Sequence, residues 1–287
     1  MTISTKPAGP SARDGIVPPG DRPHFLASPQ PHHDPQVERL YRKQRLVAGF
    51  RLFARFGYNV GLAGHITARD PELADHYWAH PWGMPFSQIR VSDLVLVGPD
   101  SLVLWDGPGP RPLSGAAFPF HAGIYRAKPE VISVAHAHSL YATIWSTYGR
   151  TLAPITQNSA AFFESHAVFD EYHGIPFEND GDDFTYDMNE GLQIAAALGD
   201  GKAVFLKNHG PVTVGPSVEL CVWRYIALEY AARLQIEAES NQMSRPTAMP
   251  DEVARKTAKM VGSDGAQWLC FNALWQEAVR DWPDMFD

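Results

Sequence analysis

The stretch from Phe118 to Ser139, FPFHAGIYRAKPEVISVAHAHS, decides the reading of this chain. Its first half, FPFHAGIYRA, has helical spacing and stops at Lys128-Pro129, where proline breaks the pattern. Its second half, VISVAHAHS, is a short apolar strand that ends in His136-Ala137-His138. Side chains of a strand alternate faces, so residues two apart point the same way. His136 and His138 can therefore present two imidazoles to one cation. A strand–turn–strand, KAVFLKNHGPVTVG, carries Asn208-His209-Gly210, and Gly210 lets the chain bend directly after the histidine. An HxH pair also arises by chance, with both rings capped by hydrogen bonds. The second histidine-bearing turn, beyond its own apolar strand, shifts the weight to a metal site built from His136, His138 and His209. Three neutral imidazoles suit Zn, Fe, Ni, Co or Mn and leave positions open to water and substrate.

Outward from these two elements, strands and helices alternate. A helix starts after Asp34 as N-cap, with Pro35 in its first turn, and ends at Gly57. GLAGHITARD reads as turn plus strand, and Tyr77 to Leu104 as β-structure with a turn at Gly98-Pro99-Asp100. LYATIWSTYG is a helix closed by Gly149, and MNEGLQIAAALGDG a helix with Gly199 near its C-cap. The longest helix follows Ser217 as N-cap. Between them, ITQNSAAFFESHAVFDEYHGIPF shows no regular period. The tail beyond Arg245 carries Trp268, Phe271, Leu274, Trp275 and Trp282 at helical steps. The expected organisation is a flexible N-terminal arm at residues 1–34, exposed His32 and His33 included. A metal-binding domain follows at residues 35–245. A helical tail at residues 246–287 docks on the domain or on a neighbouring subunit. The alternation points to an α/β layered fold.

The bulk numbers exclude several classes. The 287 residues are 45% hydrophobic and 20% charged, enough to bury a core. A formal net charge of −8 disfavours nucleic acid and anionic membrane, which recruit basic patches. No apolar run reaches the roughly 18 residues of a membrane span. The N-terminus has no signal-like apolar segment, and Cys221 and Cys270 read as buried, reduced thiols of a cytoplasmic protein.

The 118–139 segment resembles the class II aldolase/adducin motif, PLH…YR…P-V…V-H-x-H, whose two histidines ligate zinc in that family. FLKNHGPVTVG is similar to the family's third-ligand segment, GLAGHITAR stands where it has its Gly-Asn-x-Ser substrate loop, and IRVSDLVLV resembles the strand and loop that follow. The similarity spans residues 38–240 with order and spacing intact. It implies a three-layer αβα sandwich with a central, mostly antiparallel sheet, one divalent metal ion, and homotetramers with active sites between subunits.

Three departures from the family bear on function. The acid–base Glu two residues before the PLH proline is Ala117 here. The phosphate-binding loop is replaced by AHPWGMPFSQ, in which Trp82 and Phe86 suggest an apolar wall. The family Asn is His65, either a substrate-side group beside Gly64 or a hydrogen-bonded loop histidine. Glu164 could supply the missing carboxylate or be solvated, with His166 a capping residue; Gln157 and Asn158 could hold a substrate carboxylate or keto group. His121 reads as structural, and Lys207 as capping a strand end. The altered form resembles the non-haem iron oxidative decarboxylases of aminocoumarin antibiotic biosynthesis. The expectation is a metal-dependent enzyme that breaks a C–C bond, by aldol cleavage or decarboxylation, in a 2-keto or 2-hydroxy acid. That substrate is carboxylate-bearing, partly apolar and not a sugar phosphate. With Zn the enzyme is a lyase; with Fe(II) and O₂ it is an oxygenase. A non-catalytic adducin-like interaction module ranks last, because such domains are expected to lack the ligand histidines.

Overall fold

The computed structural model describes residues 30–99, 103–104, 118–171, 189–241 and 244–287. In chain order the elements are α1 (Pro35–Arg55), β1 (His65–Arg69), β2 (Tyr77–Ala79), β3 (Val95–Val97), β4 (Val103–Leu104), α2 (Phe118–Ala127), β5 (Ser133–His136) and α3 (Leu140–Ser146). They continue with α4 (Gln157–Ala160), β6 (His166–Phe169), α5 (Asn189–Leu198), β7 (Ala203–Leu206), β8 (Gly210–Gly215), α6 (Val218–Glu239), α7 (Asp251–Val261) and α8 (Asp264–Asp281). The expected caps form: Asp34 accepts from the Gln36 amide at 2.8 Å, and Ser217 accepts from the Leu220 amide at 3.3 Å.

The strands make one sheet in the order β4-β3-β2-β1-β5-β8-β7-β6. Every pair is antiparallel except β6 with β7. The period of two sorts the side chains into two cores. Val134, Val204, Val212 and Val214 pack with Phe120 and Ile124 of α2 and Ile194 and Leu198 of α5. Ile66, Ala68 and Ala135 face the other way, onto α1 and α6, with Phe271 of α8 closing that side. This is the three-layer αβα sandwich with a mostly antiparallel sheet. Among the described residues no helix is long and apolar enough to cross a membrane.

The structure departs from the sequence reading in three places. The unpatterned middle holds α4 and β6, and β6 is only half-buried along most of its length, which leaves no alternating signature. The tail is two helices, split at Gly262-Ser263, where Ser263 caps the second by accepting from the Ala266 amide. Cys221 is buried as expected, but Cys270 lies exposed on α8. His32 and His33 are exposed, as expected, and His32 also bonds Glu38 and lies tilted against Tyr41. Residues 1–29, Asp100 and Ala117 lie outside the described residues.

Helices α2 and α5 cross at their glycines: a Cβ on Gly123 would sit 2.6 Å from the Gly191 backbone. Backbone cannot yield as a side chain tip can. Gly123→Ala is therefore expected to destabilise the protein by about 1–3 kcal/mol. A lowered denaturant midpoint checks this, and an unchanged midpoint contradicts it.

Candidate metal centre

Strand β5 ends at His136, and the chain leaves the sheet through Ala137 and His138. Both flanking segments press against Ala137. A Cβ on Gly64 (φ 101°) would come within 3.0 Å of the Ala137 Cβ and 3.2 Å of the His136 carbonyl. One on Gly210 (φ 155°) would come within 3.2 Å of the Ala137 carbonyl. Glycine alone permits these approaches at these backbone angles. Asn208 takes the left-handed conformation (φ 61°) that asparagine tolerates, and this turns His209 back toward β5.

The result is a ring cluster. His136, His138 and His209 have pairwise ring-centroid distances of 5.1, 4.6 and 5.0 Å. One ligand atom from each lies within 4.8 Å of the others. Among the described residues this is the group of His, Cys, Asp and Glu whose ligand atoms converge this way. The Nδ1 of His136 donates to the Pro211 carbonyl at 2.9 Å, so its free lone pair is on Nε2. Burial, followed by the neighbouring rings, holds His136 well below the usual histidine range, and burial holds His138 down as well. His209 is pulled to about 4, by burial and then by His138. All three are neutral at pH 7, the form that binds a metal.

Helix α6 fixes the exit from β5. Tyr225 donates to the Ala137 carbonyl at 2.6 Å. Glu229 accepts from the Ser139 hydroxyl and the Ala142 amide at 2.6 Å each and from the Tyr141 amide at 2.9 Å. Its charge thus caps the N-terminus of α3, the favoured end for an anion.

His65 pairs across the sheet with His136, and their ring centroids are 5.0 Å apart. Phe120 lies edge-on to both rings, at 5.3 and 5.4 Å. Behind His65 stands a chain that the sequence reading missed. His65 Nδ1 is 2.6 Å from His121 Nε2, His121 Nδ1 is 2.6 Å from Thr67 Oγ1, and Thr67 Oγ1 is 2.7 Å from the Tyr125 hydroxyl. His121 is buried and hydrogen-bonded, as a structural histidine is, and its Nε2 partner is His65. The signal was present: His65 and Thr67 are two apart on a strand, and His121 and Tyr125 are four apart on a helix, so each pair shares a face.

Other expected site residues lie elsewhere in the chain. Glu164 is exposed and held by the Arg255 guanidinium at 2.7 Å, which keeps its carboxyl below the usual range. The structure gives it no contact with the histidines. Gln157 and Asn158 are exposed on α4, which packs on α6 and α7. Trp82 is 47% exposed in its turn. Phe86 belongs to the core, 4.8 Å from Phe50. His166 is structural, accepting from the Leu152 amide and donating to the Phe162 carbonyl. Lys207 pairs with Asp170.

Comparison with known proteins agrees with this geometry. The profile of the class II aldolase and adducin N-terminal domain family matches residues 44–236. The decarboxylase NovR of Streptomyces niveus is 39% identical over 248 residues, 86% of this chain and 87% of that protein. A 4-hydroxy-3-prenylphenylpyruvate oxygenase/4-hydroxy-3-prenylbenzoate synthase from Streptomyces roseochromogenus subsp. oscitans is 40% identical, covering 86% of this chain and 85% of that one. Among solved structures, the L-fuculose 1-phosphate aldolase from Glaciozyma antarctica PI12 superposes with a TM-score of 0.80 at 32% identity, over 92% of this chain and 98% of its own.

Two outcomes follow for the site. Replacing His136, His138 or His209 by Ala should abolish binding of a divalent ion in equilibrium dialysis, whereas Glu164→Gln should leave it within about twofold, since exposed pairs contribute little. Retention of full metal binding by His138→Ala would contradict the assignment.

Acid should also destabilise the fold. His80 and His121 are buried, and burial lowers them to about 4 and about 3. The unfolded chain takes up protons first, so this stability is fully present above about pH 6.5 and is lost as pH falls toward those values. At pH 5 the loss is on the order of 2 kcal/mol per residue. His80→Gln should flatten the pH dependence of the denaturation midpoint, and an equally steep dependence would contradict the assignment.

Proposed function

The chain belongs to the class II aldolase and adducin family, and from that premise we propose that this enzyme breaks the bond between the carboxylate and C2 of an aryl-bearing 2-keto or 2-hydroxy acid. The observation that carries the reading is the convergence of His136, His138 and His209, a group that among the described residues includes no carboxylate. The three rings fit one divalent ion in chemistry and protonation: neutral, mutually close, with Nε2 of His136 left to coordinate. Bound there, zinc or Fe(II) would polarise a carbonyl and stabilise negative charge as the C–C bond breaks.

The chain's own residues set the substrate class. Phe120 against His65 and His136 offers an aromatic edge beside the ligands, suited to an aryl group. Gly64 brings the β1 loop, and with it His65, against the ligand strand. His65 is the group we place on the substrate side. In the cytoplasm the enzyme would work as a homo-oligomer, a tetramer on the family's pattern, and Leu140, 63% exposed next to Ser139, would be covered.

One observation favours dioxygen as co-substrate. An aldolase needs a general acid–base, a contribution typically worth about 10²–10⁴-fold in rate. Here Ala117 stands at the family's Glu position and Glu164 is bound by Arg255. Loss of a carboxylate as CO₂ makes no such demand on that position. Relatives named decarboxylase and phenylpyruvate oxygenase support the same choice. The interaction-module reading gives way to the enzyme.

Metal analysis of protein purified without added metal, followed by an oxygen electrode with 4-hydroxyphenylpyruvate, tests the proposal. Iron and oxygen uptake coupled to CO₂ release are expected. Equal aerobic and anaerobic turnover would overturn the use of dioxygen, and absence of both metal and CO₂ release would overturn the whole reading.

A further inference from the structure

His65, His121, Thr67 and Tyr125 form a buried line of hydrogen bonds running from the ligand group into the α2 face of the sheet. Such a line can point either way, and its far end decides which. A phenol has one proton. The Tyr125 hydroxyl is 2.7 Å from Thr67 Oγ1 but 3.4 Å from the Ile132 carbonyl. O–H···O bonds centre at about 2.7–2.8 Å, so Tyr125 donates to Thr67. Arg69 holds this end in place, donating to the Tyr125 carbonyl at 2.8 Å and the Val131 carbonyl at 2.9 Å.

Each link then fixes the next. With Tyr125 as the donor to Thr67, the acceptor left within reach of the Thr67 proton among the described residues is His121 Nδ1, at 2.6 Å. His121 is fully buried and neutral, so an acceptor Nδ1 leaves its proton on Nε2. That proton is donated to His65 Nδ1 at 2.6 Å. An imidazole that accepts at Nδ1 carries its own proton on Nε2. We infer that the Tyr125–Thr67–His121 chain locks His65 as the Nε2–H tautomer, so that His65 serves as a hydrogen-bond donor to a substrate oxygen at the histidine site and not as a fourth metal ligand. His121, Thr67 and Tyr125 are positioning residues; His65 alone would touch substrate. A fixed donor aimed at an oxygen that gains charge stabilises that charge without reorganisation.

The inference rests on the proposed substrate-side place of His65, but the tautomer can be read without turnover. The experiment is solid-state ¹⁵N NMR of the full-length chain, labelled at histidine and supplied with Zn(II). The His65 signals are those lost in His65→Gln. The expected result is an unprotonated Nδ1 and a protonated Nε2. Thr67→Val, which keeps shape and removes the hydroxyl, should mix the two tautomers, and Thr67→Ser should restore the single form. Tyr125→Phe gives the same mixing by removing the terminal donor, should Thr67→Val fail to fold. Phenylpyruvate should bind Zn(II)-loaded Thr67→Val about fivefold more weakly, the worth of one neutral hydrogen bond, with Zn(II) affinity unchanged. An Nδ1-protonated His65 in the native chain, unaltered tautomers in both variants, or equal loss of Zn(II) and phenylpyruvate binding would overturn the inference. If the native chain takes up no Zn(II), the proposed function fails while the His65 tautomer is still read from the same sample.

Discussion

The site depends on how closely three backbones approach at Ala137. Gly64 lies against it on one side and Gly210 on the other, each at a distance and backbone angle that a side chain would obstruct. Antiparallel pairing of β5 with β1 and β8 sets the register, with His136 opposite His65 and Val212. Once that register holds, strand parity does the rest. His136 points to the same face as Val134, His65 to the same face as Thr67, and α2 lies over that face with His121 and Tyr125. The ligand group and the chain behind His65 are two results of one packing constraint.

Burying so many imidazoles costs stability in acid, because each must stay neutral inside while water would protonate it in the unfolded chain. Several of them are held by hydrogen bonds. His136 is oriented by the Pro211 carbonyl, His65 by His121, and His121 by Thr67. His80 has no such arrangement among the described residues: it sits among Phe50 and Phe86, and its Nδ1 meets no hydrogen-bond partner there.

Much of this was legible in the sequence. HAH at a strand end and NHG in a turn mark where the rings meet, although His138 lies past the end of β5 and is not placed by the period of two. Asp34-Pro35 and Ser217 mark helix starts by chemistry that acts within a few residues. What stayed hidden depends on partners far away in the chain. Nothing near Glu164 in the sequence reveals that folding sets it beside Arg255, 91 residues later. Phe86 looked like a pocket wall because nothing local reveals that Phe50 covers it. Half-buried β6 has no alternation to read, and it pairs with β7 only after the chain has returned. His121 carried a signal, its four-residue spacing to Tyr125, but the meaning of that spacing depends on Thr67 lying opposite.

The proposed centre is a metal held by three imidazoles, with a fourth held back as a donor. X-ray absorption spectroscopy of the full-length protein, as purified, measures this directly. The account predicts a first-row metal with three imidazole nitrogens and the remaining positions filled by oxygen. A fourth imidazole, a sulfur donor, or no bound metal would contradict it.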